Sequence, residues 1–289
     1  MAGCKEGRCR KMLVAVDGSA SSMHALRESF KLAASEKSWI TVTSVAPPYD
    51  GDLDLTAIGN VQQAMRAPCE KALAEAAAIA KEAGALIKTV CEEGVPHERI
   101  VDLAEAENCD LIVMGRRGLS SAQRAFVGSV SARVIGYGQK DVLLIPLPAT
   151  VNWKTMLVAT DGSRFSGAAA EKAIDFADAY GGTLNVVSAV DIPAEFYGEA
   201  PLAVDEMIKE ARWYVDAVQE QARAREVSAE TFVREGAAHR VITGLAQEHN
   251  ADIIVLGSHG KTGLRRLLMG SVTEKVIGHA ACPVLVVRS

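Results

Sequence analysis

Two stretches of the chain share one spacing of glycines. One runs Gly115-Arg116-Arg117-Gly118, then nine residues, then Gly128-Ser129-Val130. The other runs Gly257-Ser258-His259-Gly260, nine residues, then Gly270-Ser271-Val272. In each, the closing Gly-Ser opens a helical run, SVSARVIG or SVTEKVIG. This arrangement suits anion chemistry. A helix N-terminus offers unpaired backbone N–H groups and the positive end of the dipole, and a glycine lets a phosphate approach the backbone closely. The serine can act as N-cap or turn its hydroxyl to a phosphate oxygen. Positive charge gathers at the same place. Gly115 to Lys140 holds Arg116, Arg117, Arg124, Arg133 and Lys140 and no acidic residue, while Gly257 to Ala281 holds four basic residues and one acidic. Each half as a whole is acidic, with 17 basic against 18 acidic residues up to residue 150 and 14 against 18 beyond it. Such a concentration would steer an anionic ligand. Taken singly, these glycines read as turns and caps, and the arginines as a solvated face. The full spacing, occurring twice behind an apolar run, favours nucleotide phosphate binding. It is neither the P-loop pattern nor a dinucleotide fingerprint.

The elements that must position these loops repeat as well. KMLVAVDGSASSMHALRESFKLA from Lys11 matches KTMLVATDGSRFSGAAAEKAIDFA from Lys154, and GVPHERIVDLAEAENCDLIVMGRRG from Gly94 matches GAAHRVITGLAQEHNADIIVLGSHG from Gly236. Strands are expected at about 12–16, 39–46, 86–91, 110–114 and 141–146, with helices at about 20–35, 57–83, 96–107 and 129–137. The second copy repeats them, with strands at about 154–160, 183–190, 228–234, 252–256 and 283–288. Runs such as DLIVMG and DIIVLG do not alternate in polarity, as in strands buried on both faces of a parallel sheet. The expected fold class is α/β: two tandem doubly wound domains, each a five-stranded parallel sheet flanked by helices. PLPATVNW reads as the linker, giving domains 1–148 and 149–289. Ligands of such sheets bind outside the carboxyl ends of the strands. Asp-Gly-Ser after strand one and the glycine loop after strand four should share that rim.

The bulk properties narrow the class. A net charge of −5 argues against a nucleic-acid partner. No apolar run reaches the roughly 20 residues of a membrane span, and MAGCKEGRCRK has no apolar h-region, so a cytoplasmic protein is expected. Of six cysteines, Cys69, Cys91, Cys109 and Cys282 read as small buried hydrophobes. Cys4 and Cys9 lack the further ligands of a metal site and read as part of a polar tail. His97 and His239 recur at the start of the third helix and suggest capping or packing.

The sequence resembles the tandem-domain form of the universal stress protein family, ATP-binding type, over essentially the whole chain after the first ten residues. The carriers are LVAVDGS and LVATDGS, the G-2x-G-9x-G-S motif in both halves, and the closing Cys282-Pro283-Val-Leu-Val-Val. The resemblance implies an adenine nucleotide (ATP, ADP or AMP, with Mg as an optional companion) at the rim of each sheet. It also implies pairing through the last strand, between the two halves or in a homodimer, and a role in stress tolerance or signalling. Carried over, Asp17 and Asp161 match the aspartate near adenine and ribose. A carboxylate there would repel phosphate and suits ribose hydroxyls, the adenine amine or backbone N–H groups; capping the first helix with Ser19 or Ser163 is the alternative, and the roles can coexist. Ala15 and Thr160 precede or flank that turn and should face adenine, and Val16 beside them is counted among the nucleotide-binding residues. Strand two should supply backbone contacts near Ser44–Val45 and Ala189–Val190, and Met114 precedes the first loop.

The copies differ. Arg116 and Arg117 carry permanent charge and can fork onto phosphate, whereas His259 adds charge only at lower pH or is a plain loop residue. Gln139-Lys140-Asp141 in place of Ala281-Cys282-Pro283 puts the edge pairing of the first copy in question, not its loop. Three functions remain: a nucleotide-binding regulator, a slow ATPase or self-phosphorylating protein, and a scaffold for another ligand. Neither nine-residue interval contains Asp or Glu, so no general base is evident, and no carboxylate cluster marks a metal site. The regulator is favoured over an enzyme.

Overall fold

In the computed structural model, residues 9–48, 61–118, 127–261 and 269–288 are described, without the side chains of residues 61 and 62. Cys4, Arg124 and positions 57–60 of the expected second helix lie outside them. Contacts divide the chain into Met1–Pro148 and Ala149–Ser289.

The first unit runs β1 (Lys11–Ala15), α1 (Ala20–Glu36), β2 (Trp39–Ala46), α2 (Val61–Glu82), β3 (Ile87–Glu93), α3 (Pro96–Ala106), β4 (Leu111–Gly115), α4 (Ser129–Tyr137) and β5 (Asp141–Ile145). Its strands pair in parallel in the order β3-β2-β1-β4-β5. Every residue of β4 is buried, as are the last four of β1, which is why these runs lack alternation. The closing strand forms despite Gln139-Lys140-Asp141, pairing with β4 from Leu111↔Asp141 to Gly115↔Ile145.

The second unit runs β6 (Thr155–Ala159), α5 (Arg164–Tyr180), β7 (Thr183–Val190), a short α6 (Phe196–Glu199), α7 (Pro201–Ala224), β8 (Ala229–Glu235), α8 (Ala238–Glu248), β9 (Ile253–Gly257), α9 (Ser271–His279) and β10 (Val284–Val287). Its parallel order is β10-β9-β6-β7-β8. Its core includes fully buried Met156, Leu157, Phe176 and Leu184, with Trp153 stacked on Phe176 at 4.1 Å. Burying one such side chain is worth about 1.5–3 kcal/mol.

In both units the chain leaves the first strand (β1, β6) toward one edge and returns on its other side. The crevice at that switch point lies above β1 and β4, and above β6 and β9. The turn leading out of it is alike in both. Gly18 and Gly162 sit at φ +82° and +76°, a region costly for residues with a Cβ. Ser19 and Ser163 then cap α1 and α5, each accepting a backbone N–H at 3.2 Å, from Ser22 and Ser166.

Candidate functional site

Each switch point opens into a cavity, of about 240 Å³ in the first unit and about 580 Å³ in the second. Four segments build the first. Ala15, Val16 and Asp17 come from the end of β1, Val45 from β2, and Met114, Gly115, Arg117 and Gly118 from the end of β4 and its loop; Gly128, Ser129 and Val130 open α4. The second repeats this with Thr160 and Asp161, then Gly257, His259 and Gly260, then Gly270, Ser271 and Val272. One expected residue falls outside. Val187 and Ala189 of β7 line the second cavity, and Val190 does not. Successive strand side chains point to opposite faces, so Val190 lies one residue out of phase.

The serines of the glycine motifs are not caps. The N-caps of α4 and α9 are Gly128 and Gly270, with no side-chain cap hydrogen bond, and Ser129 and Ser271 are the first helical residues. The alternative of Ser129 or Ser271 as N-cap is therefore corrected. Each glycine N–H closes the loop onto a carbonyl, Gly128 onto Arg116 at 3.1 Å and Gly270 onto Ser258 at 3.0 Å. Ser131 and Thr273 donate to the carbonyls of Gly115 and Gly257 at 3.4 and 2.9 Å, holding each helix start over the end of its strand.

Asp17 and Asp161 hold turn and loop together. One carboxylate oxygen accepts the N–H of Ser19 or Ser163, both at 3.0 Å. The other oxygen of Asp161 accepts the N–H of Lys261 at 2.9 Å. A Cβ on Gly260 would stand 2.7 Å from that oxygen, and one on Gly118 would collide with Asp17, so a side chain at either position would displace the carboxylate. Capping proper belongs to the serines; the aspartates buttress the capped turn. Burial works to raise the Asp161 carboxyl, but hydrogen bonds from Ser163, Ser166 and the Lys261 N–H outweigh it and hold it below its ordinary value.

The loops differ in charge as the sequence suggests. Burial, and then the adjacent Arg117, lower Arg116, and the Nε of Arg117 is buried without a hydrogen-bond partner among the described residues. Such an orphan donor costs free energy until an acceptor arrives. In the second unit His259 is buried, with Nδ1 3.1 Å from the Ser258 hydroxyl and its ring 5.1 Å from Phe165. It packs the loop as well as lining the cavity.

Sequence reasoning missed several neighbours. Lys261 lines the second cavity, and its ammonium meets Glu210 at 2.9 Å and Tyr214 at 2.6 Å. Its place directly after Gly260 was the available signal. Thr43 and Cys69 line the first cavity. Cys69 and Cys91 form a disulfide, with Cα atoms 6.3 Å apart, which corrects their reading as separate small hydrophobes. Cys109 fits that reading, being buried, whereas Cys282 is half-buried; desolvation pushes both thiols up to about 11. His97 packs on Tyr137 at 5.3 Å, and burial, then Arg133, lowers it. His239 lies 5.9 Å from the His279 ring. Among the described residues, no group of three His, Cys, Asp or Glu gathers for a metal, and no helix is long and apolar enough to cross a membrane.

A family model described as the universal stress protein family matches residues 8–146 and again 152–288. The chain belongs to that family. It is similar to a universal stress protein of Methanocaldococcus jannaschii, 37% identical over 142 residues, covering 47% of this chain and 82% of that one. A universal stress protein of Mycolicibacterium smegmatis aligns over 96% of both chains at 26% identity. The crystal structure of a universal stress protein from Archaeoglobus fulgidus superposes with a TM-score of 0.74, over 97% of this chain and 96% of that chain, at 23% identity. This universal stress protein thus shares its fold with that structure over 97% of the chain.

Proposed function

We propose that each unit binds an adenine nucleotide in its switch-point cavity, and that the protein acts as a nucleotide-responsive regulator rather than a dedicated enzyme. One observation carries the reading. At both cavities a helix begins with a glycine that supplies no side-chain cap, over the carboxyl ends of parallel strands. The first turn of a helix has N–H groups without intrahelical acceptors, and an anion is their natural partner. The orphan Arg117 Nε in the first unit and Lys261 in the second support the same assignment. Gly115, Gly118, Gly128 and Ser129 would hold phosphate in one site, with Gly257, Gly260, Gly270 and Ser271 in the other. Asp17 and Asp161 would face ribose, and the ends of β1, β2, β6 and β7 would face the base. Asp161, held ionised by three sets of donors, is a weak proton acceptor and a poor general base. Among the described residues no group of three His, Cys, Asp or Glu gathers to hold Mg, so any ion would arrive with the phosphates.

The test is direct. Purified protein is denatured and the released nucleotide identified, and ATP is then titrated by calorimetry. Two binding events are expected in the parent, one each in Gly128→Asp and Gly270→Asp, and none in the double variant, where carboxylates stand against phosphate. Undiminished affinity in the double variant would refute the placement. Steady ATP turnover lost with these substitutions would instead favour an ATPase.

A further inference from the structure

The two cavities differ at the strand beside the proposed base site. Thr43 of β2 and Val187 of β7 occupy one position: the Thr43 carbonyl accepts the N–H of Val16 at 2.8 Å, and the Val187 carbonyl accepts that of Thr160 at 2.9 Å. Threonine and valine are thus exchanged between the two strands from one unit to the other, Val16 with Thr43 in the first and Thr160 with Val187 in the second. The consequences are unequal. The Thr160 hydroxyl is satisfied, 3.2 Å from the Ser166 hydroxyl and accepting the Gly162 N–H at 3.3 Å. Thr43 lines the first cavity and is fully buried at 0% exposure, and its hydroxyl has no hydrogen-bond partner among the described residues.

The wall opposite differs too. Pro68 and Cys69 of α2 line the first cavity, and the Cys69–Cys91 bond ties α2 to β3, where Cys91 pairs in register with Ser44. Counting back from the end of each helix, Cys69 corresponds to Ala211, and the strand registers match Cys91 with Val233. The second unit therefore has no such bond, and no residue of α7 lines its cavity. The first cavity is the smaller, about 240 Å³ against about 580 Å³.

We propose that Thr43 is a specificity-determining residue that makes the first site the more base-selective of the two. Resting on the nucleotide reading above, its buried hydroxyl takes up the nitrogen-bearing edge of the base, pressed against it by the cross-linked α2 wall. A base that offers that edge satisfies a group otherwise left unpaired. A base that does not leaves the group unpaired and is rejected. The second site, with Val187 at that position and a wider cavity, reads the base by contact alone, and apolar contact discriminates weakly.

The experiment uses the full chain with one site silenced. In Gly270→Asp, ATP and UTP are titrated against the first site; in Gly128→Asp, against the second. The first site is expected to prefer ATP by a factor at least about tenfold larger than the second does. Thr43→Val in the Gly270→Asp chain keeps the shape and removes the hydroxyl. It should weaken ATP binding about tenfold and reduce the preference over UTP, while raising the melting temperature of the ligand-free protein, since a buried unsatisfied group has gone. Thr43→Ser should keep the parent's preference. A purely structural threonine would not move affinity and stability in opposite directions. Equal preference at the two sites, or parental ATP affinity in Thr43→Val, overturns the proposal while leaving nucleotide binding intact. Absence of any nucleotide binding at either site overturns both.

Discussion

At the scale of single residues, the loop glycines are set by a carboxylate. Gly260 lies so close to Asp161 that a methyl group would stand 2.7 Å from its oxygen. Gly260→Ala should therefore cost about 1–3 kcal/mol, the usual penalty for forcing atoms into a filled space, read as a lower urea midpoint, and should loosen the second site. Gly118→Ala should do the same to the first. Asp161 itself gives a pH signature. Its carboxyl ionises below its ordinary value of 3.8, so the fold favours the ionised form. The stability this contributes is complete above that value and is lost as pH falls below it toward the folded-state value. Asp161→Asn should accordingly be less stable than the parent at pH 7, with the gap narrowing below about pH 4. Urea midpoints measured from pH 7 down to pH 3 check this; a gap constant with pH would contradict it.

At the scale of elements, the sequence carried most of the frame, because the features that specify it are local. Buried runs without alternation located β1, β4, β6 and β9, and Asp-Gly-Ser located the turns into α1 and α5. The caps of those helices follow from the same three residues, and Ser19→Ala or Ser163→Ala should each cost about 1 kcal/mol, measurable by denaturant unfolding. What the sequence hid depends on partners distant in the chain or on strand phase. Val190 falls one residue beyond the β7 residues that line the cavity, Val187 and Ala189. Thr43 shows its unpaired hydroxyl only once β1 lies beside β2. Cys69 and Cys91 are 22 residues apart, one on a helix and one on a strand, and nothing local says that they meet. A loop of that length gives about 3 kcal/mol in the chain-entropy account of disulfides. Cys69→Ala with Cys91→Val, the residues of the second unit, should lower the stability of the first unit by up to that amount, and a dithiol reductant should do the same to the parent. A denaturation profile unmoved by either treatment would count against the bond.

At the scale of the whole molecule, the duplication yields two units with their own cores and their own cavities, alike in frame and unlike in lining. If each takes a nucleotide, saturation at about 100 times the dissociation constant stabilises the binding unit by about 2.7 kcal/mol. Scanning calorimetry with ATP should show both units shifted upward in the parent, and only one shifted in Gly128→Asp or in Gly270→Asp. The bare starts of α4 and α9 carry a further consequence. Helices α1 and α5 hold their cap as a side chain, fixed when the chain is made. On the nucleotide reading proposed above, the place at α4 and α9 goes to a dissolved anion, and the order of the first helical turn becomes a function of solute concentration. Amide hydrogen exchange at residues 129–131 and 271–273 would then slow as that anion is added, reporting the occupancy of each unit separately, without label or partner.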